Sequence, residues 1–93
     1  MKEILDDVLK ECDVTLEELK SRRRMEEYVL KRERVSKVLR SMGFTLQSIG
    51  DLMNKNHATI INHLQRDKVK AEEVQEIIKK IATGRRWLDF VNN

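Results

Sequence analysis

The chain has 93 residues, no proline, three glycines, 38% charged against 40% apolar residues, and a net charge of +3. That is room for one domain with a modest core, too apolar for a disordered chain, and it lacks the run of about 18 apolar residues that a membrane span needs. The single cysteine, Cys12, cannot form an internal disulfide, and no long apolar run follows Met1-Lys2-Glu3 as a secretory signal would require; the setting expected is cytoplasmic.

The first element is a helix from Lys2 to about Glu11, with Ile4, Leu5, Val8, Leu9 and Cys12 at helical period on one face. Thr15 and Glu18 form a capping box that starts a short helix to about Ser21, with Leu16 and Leu19 turned inward. Arg22-Arg23-Arg24 connects to a long helix, roughly Glu26 to Met42, whose apolar stripe is Tyr28, Val35, Val38, Leu39 and Met42. Gly43 suits the left-handed stop that follows. Thr45 caps the next helix, which turns Leu46, Ile49, Leu52 and Met53 to the core, and Asn54 tolerates the positive φ that closes it. Another helix starts near His57 and buries Ile60, Ile61 and Leu64. Asp67-Lys68 breaks the pattern. A last helix is expected over about Val69–Ala82, with Ala71, Val74, Ile77, Ile78 and Ile81 inward and Thr83-Gly84 as its end. In the tail, residues 83–93, Trp87 and Phe90 are spaced to pack as one more helical turn over the core or to anchor an interface. The architecture is a single all-α domain of five to seven helices.

Charge is unevenly placed. Residues 1–19 carry two basic and seven acidic groups, a net −5, whereas residues 20–40 carry nine basic against three acidic groups, a net +6. The basic set includes Arg22, Arg23, Arg24, Lys31, Arg32 and Arg34. A positive middle suits a polyanion ligand, and its plainer alternative is a solvated face laced with ion pairs.

Residues 45–66 read as a helix-turn-helix. Ile49 and Met53 anchor the first helix, Gly50 takes the small-residue position where the helices touch, Asn54 takes the left-handed turn, and Ile60 with Leu64 pins the second helix. Lys55 departs from the pattern, since an aliphatic residue is usual there. The outward stripe of the second helix is then Ala58, Thr59, Asn62, His63, Gln65 and Arg66. Thr59 and Asn62 suit base edges, Ala58 a thymine methyl, and Arg66 phosphate or guanine. His57 is three and four residues before Ile60 and Ile61, which tilts it toward the core edge. His57 and His63 are on different faces and far in sequence from Cys12, so no metal site is expected.

The pattern resembles the C-terminal, duplex-binding domain of the bacterial replication initiator DnaA, over about residues 4–66. "VTLEELKSRRR" (14–24) is similar to the family's V-x-x-E-D-L-x-S-K-R-R segment, "LKRE" stands where a basic segment ends in an Arg-Gln pair, "TLQSIG" matches S-L-x-x-I-G, and "NHATI" (56–60) matches the signature Asp-His-(Ser/Thr)-Thr-Val. The resemblance implies double-stranded DNA as the partner. It puts His57 and Thr59, with neighbours Asn56, Ala58 and Asn62, on base edges, and carries the family's minor-groove arginine of the basic loop to Arg32. Expected phosphate contacts are Arg22, Arg23, Arg24, Lys31, Arg34, Thr45, Gln47, Lys55 and Arg66. The alternative for Arg32, between Tyr28 and Val35, is a stem that packs while its head reaches solvent. Asn56 replaces the family's aspartate and Ala58 a hydroxyl residue, so a sequence preference different from the initiator's own is expected.

No G-x-x-x-x-G-K-[ST] loop and no nucleophile–base pairing occurs in the sequence, so neither a nucleotide cofactor nor catalysis is expected. The use expected is replication initiation or transcription regulation, in a setting such as a phage or mobile element. A different class of function is a protein–protein module that binds a replication initiator or helicase loader through the acidic start, the extra helix and the aromatic tail. Residues 69–93 are also a candidate homodimer surface.

Overall fold

The computed structural model of the chain describes residues 2–22 and 25–92, with side chains over 4–22 and 25–83. Six helices follow in order: α1 (Lys2–Glu11), α2 (Leu16–Lys20), α3 (Glu26–Ser41), α4 (Leu46–Met53), α5 (His57–Gln65) and α6 (Ala71–Asn92). Among the described residues there is no strand, and no helix is long and apolar enough to cross a membrane.

Local chemistry sets the helix starts. The Thr15 hydroxyl accepts the Glu18 N–H at 3.1 Å while the Glu18 carboxylate accepts the Thr15 N–H at 3.0 Å, the reciprocal capping box. Thr45 caps α4 by accepting the Ser48 N–H, and Asn56 caps α5 by accepting the Ala58 N–H. No side chain caps α3, but Glu26 and Glu27 in its first turn favour the positive end of the helix dipole.

Three helices end by one device. At Asp13, Gly43 and Asn54 the backbone turns left-handed, with φ of 53°, 98° and 54°. The next N–H then reaches back five residues, from Val14 to Leu9, from Phe44 to Leu39 and from Lys55 to Gly50, at 3.1, 3.1 and 2.8 Å. This satisfies a terminal carbonyl and drops an apolar side chain, Val14 or Phe44, onto the core.

The central helix is α3, which touches the other five. Val35, Val38 and Leu39 from α3 meet Val8 from α1 and Cys12 just after it, Leu19 from α2, Ile49 and Met53 from α4, Ile60 from α5, and Val74, Ile77 and Ile81 from α6. Burial pushes the Cys12 thiol up to about 11, so it behaves as an inert apolar group.

Four sequence expectations change. Leu16 is exposed, because a five-residue helix has room for one inward position and Leu19 takes it. Ala71 is exposed too, and the last helix starts there rather than at Val69, whose buried side chain belongs to the connection. That helix also continues through Thr83-Gly84 to Asn92, because a glycine ends a helix only where the chain takes a left-handed turn. The side chains of Trp87 and Phe90, on which two readings of the tail turned, lie outside the described residues.

Candidate nucleic-acid interface

The corner between α4 and α5 is tight because Gly50 has no side chain. A Cβ there would come within 2.6 Å of the Lys55 carbonyl oxygen and 3.7 Å of Ile60. Asn54 makes the left-handed bend, Asn56 caps the next helix, and Ile60 is fully buried behind it. The outer side of α5 is left to His57, Ala58, Asn62 and Gln65, all exposed; Thr59 is half-buried. The histidines exchange their expected places. His57 is in solvent rather than at the core edge, and His63 is 7% exposed rather than on the outward stripe. A helix turns 100° per residue, so six positions put the two rings 240° apart, and only one can face outward.

Most of the expected phosphate-binding cations already hold partners. Lys31 pairs with Glu18 at 2.7 Å and Glu27 at 3.7 Å, and its ammonium is 5.9 Å from the centre of the Tyr28 ring. Hydrogen bonding between the pair holds the Glu18 carboxyl below its ordinary value and Lys31 above its own. Arg34 pairs with Glu73 of α6 at 2.9 Å. Arg66 pairs with Glu33 at 3.1 Å and Glu26 at 3.3 Å. Arg22 is exposed, as are Thr45 and Gln47 at the start of α4; Arg23 and Arg24 lie outside the described residues.

Arg32 and Lys55 serve the end of α2. Arg32 is 5% exposed and donates through Nε to the Leu19 carbonyl at 3.3 Å and through Nη2 to the Ser21 carbonyl. Lys55 Nζ donates to the Lys20 and Ser21 carbonyls at 3.3 and 3.2 Å. Two cations thus meet the negative end of a one-turn helix. Lys55 stands where an aliphatic residue is usual because its ammonium has these carbonyls to bond. Arg32 is in the second turn of α3, with its guanidinium turned to the end of α2. Of the basic segment Arg22-Arg23-Arg24, Arg22 is the described arginine, and it follows α2 outside any helix. Burial lowers the pKa of both cations, and for Lys55 the nearby Arg32 and Arg22 add to this.

These groups nevertheless share one place. Ser21, Arg22, Arg32, Lys55, Thr59 and His63 line a cleft of about 310 Å³ between the α2–α3 loop and α5. Among the described residues, three cations and two hydroxyls meet there with no carboxylate in the lining.

Glu33 is a feature the sequence reading missed. Its side chain is fully buried in α3 and accepts three bonds: Lys37 Nζ at 2.8 Å, Arg66 Nε at 3.1 Å and the Val69 N–H at 2.7 Å. Burial pushes its carboxyl up, but Lys37, the Val69 N–H and Arg66 together outweigh burial and hold it below its ordinary value. One carboxylate therefore fastens the end of α5 and the approach to α6 onto the central helix. The only sequence signal was the i,i+4 spacing of Glu33 and Lys37.

A capped second helix set by a left-handed turn against a first, with its outer face bare, defines a helix-turn-helix protein. The chain belongs to the bacterial DnaA protein helix-turn-helix family, whose model matches residues 1–66. Membership suggests DNA binding, and families of this kind are not typically enzymatic. No curated protein and no solved structure matches the chain. All of α6 lies beyond the family match. Among the described residues no group of three or more His, Cys, Asp or Glu side chains is placed to hold a metal ion.

Proposed function

We propose that the protein binds double-stranded DNA sequence-specifically, with α5 in the major groove and the basic segment after α2, which begins at Arg22, at the adjacent minor groove. The observation that carries this reading is the exposed face at the start of α5, free of Lys, Arg, Asp and Glu, adjoining a cationic cleft whose described lining has no carboxylate. His57, Asn62 and Thr59 meet base edges, Ala58 meets a methyl group, and Asn56 stays partly committed to capping. Arg22 and its two arginine neighbours in sequence supply the minor-groove and phosphate cations, while Arg32 holds the loop from behind. Thr45 and Gln47 contact the backbone at the start of α4. Arg66 contributes to the field of this face only as far as Glu33 and Glu26 release it, while Lys31 is held by Glu18 of α2 and Arg34 by Glu73 of α6. Selecting bound duplexes from a random pool tests the reading; a recovered consensus supports it, and recovery of no preferred sequence rejects sequence-specific binding.

The role proposed is control of replication initiation or transcription at such a site, close to the nucleoid, as would suit a phage or mobile element. A second reading, a module that binds a replication initiator or helicase loader, is favoured by one observation: α6 is additional to the family's matched region. The described inward face of α6 is used in the core by Val74, Ile77 and Ile81, so a homodimer or partner contact through residues 69–93 would use exposed positions such as Glu72, Gln75, Glu76, Lys79 and Lys80.

A further inference from the structure

We propose that the cleft between Ser21-Arg22 and α5 is a phosphate-binding pocket in which His63 takes up a proton as the anion enters. The inference rests on the duplex-binding reading and adds to it a source, a backbone phosphate, and a regulation, coupling of binding to protons.

The pocket is built from two independent features. Arg22, Arg32 and Lys55 contribute three positive charges to its walls, and Ser21 and Thr59 contribute hydroxyls. The cleft is larger than one phosphate group and, with no carboxylate in its lining, does not repel an anion. In the same wall is a buried imidazole whose Nδ1 has no hydrogen-bond partner. Buried polar atoms in folded proteins are nearly always partnered, and an orphan costs free energy that a change of protonation or an incoming group can relieve.

Electrostatics gives the coupling its direction. The charged groups acting on His63 are Arg32 and Glu33 from α3, Arg66 from α5 itself, and Lys55 from the corner; Arg22 of the loop lines the same cleft. Burial and then Arg32 are the main causes that hold the imidazole below its ordinary value, and Glu33 opposes them only in part. Glu33 is itself committed to Lys37, Arg66 and the Val69 N–H. The unliganded protein therefore keeps His63 neutral at neutral pH. A phosphate between Arg22, Arg32 and Lys55 offsets part of their positive field, which removes much of what opposes a charged imidazole, and the ring then takes up a proton from solvent more readily. Binding tightens as pH falls through the bound-state value, by up to about tenfold per pH unit for one proton.

The experiment follows the two histidine ring signals by NMR on the intact chain from about pH 5.5 to about pH 8. The chain is measured alone, with inorganic phosphate, and with a short mixed-sequence duplex, and duplex affinity is measured over the same range for wild type and His63→Gln. The expected result is a His63 midpoint raised by both probes, with duplex affinity rising about three- to tenfold per pH unit in wild type and losing that dependence in His63→Gln. Phosphate moving His63 while the duplex binds without moving it would overturn the backbone as the source. Duplex binding with His63 unmoved by either probe would overturn the pocket and leave the DNA-binding reading intact. A shift with phosphate and no duplex binding would support the pocket and reject the DNA-binding reading. The ring titrations need no variant, so a misfolded His63→Gln would not spoil the test.

Discussion

Replacing Glu33 tests how the recognition helix is held. The carboxylate is fully buried and accepts three bonds, so Glu33→Ala removes the shared partner of Lys37, Arg66 and the Val69 N–H together. Breaking a buried ion pair from one side costs about 3–5 kcal/mol. Here the Lys37 and Arg66 side chains keep 16% and 35% of their exposure and can turn to solvent, so a loss of about 2–4 kcal/mol is expected. Glu33→Gln keeps an acceptor for the Val69 N–H but loses the charge, for about 1–2 kcal/mol. At this chain length 1 kcal/mol corresponds to about 4–8 °C, so the glutamine variant should melt about 5–15 °C lower by circular dichroism at neutral pH. The pH dependence has a definite sign. The folded carboxyl sits below its ordinary value, so its contribution is complete above the unfolded carboxylate range and is lost as pH falls through the folded value. The gap between wild type and Glu33→Gln should therefore narrow on acidification below about pH 4. Equal melting of the two proteins at neutral pH, or a gap that acid leaves unchanged, would refute the reasoning.

Gly50→Ala should lower stability by about 1–3 kcal/mol, since its Cβ meets a backbone carbonyl oxygen that moves only if the corner opens. Denaturant titration checks it, and an unchanged midpoint would mean that the corner is looser than described. Arg22→Ala should weaken duplex binding about equally for all sequences and reduce the salt slope by about one unit, a result distinct from lost selectivity. Asn62→Ala should do the reverse, costing about 1–3 kcal/mol of discrimination between sites while leaving the salt slope alone. Truncation after Asp67 removes Val69, Val74, Ile77 and Ile81 from the core and should abolish cooperative unfolding, whereas truncation after Thr83 should leave these contacts in place.

What the sequence revealed follows the range of the interactions concerned. Thr15 with Glu18, the Thr45 cap, the Asn54 bend and the Gly50 approach depend on residues at most ten apart, and each could be read from spacing. Asp13 escaped because an aspartate signals a left-handed stop less strongly than glycine or asparagine does. Glu33 and Arg66 are 33 residues apart, and no periodicity announces that a carboxylate between Val35 and Tyr28 is the hub of three bonds. For α5, apolar spacing identified Ile60 and Leu64 but did not fix the helix rotation closely enough to tell His57 from His63. Arg32 was assigned to a groove through family resemblance, and only the long-range contact with α2 revealed that its head is occupied.

Duplex selection from a random pool, followed by affinity of the selected site at 50 and 200 mM salt, tests the central claim most directly. With about four to five phosphates neutralised, affinity should fall by about two to three decades between those concentrations, and His57→Ala or Thr59→Ala should erode preference for the selected bases. Binding that is indifferent to salt, or selectivity unchanged in both variants, would contradict an α5 that reads the major groove.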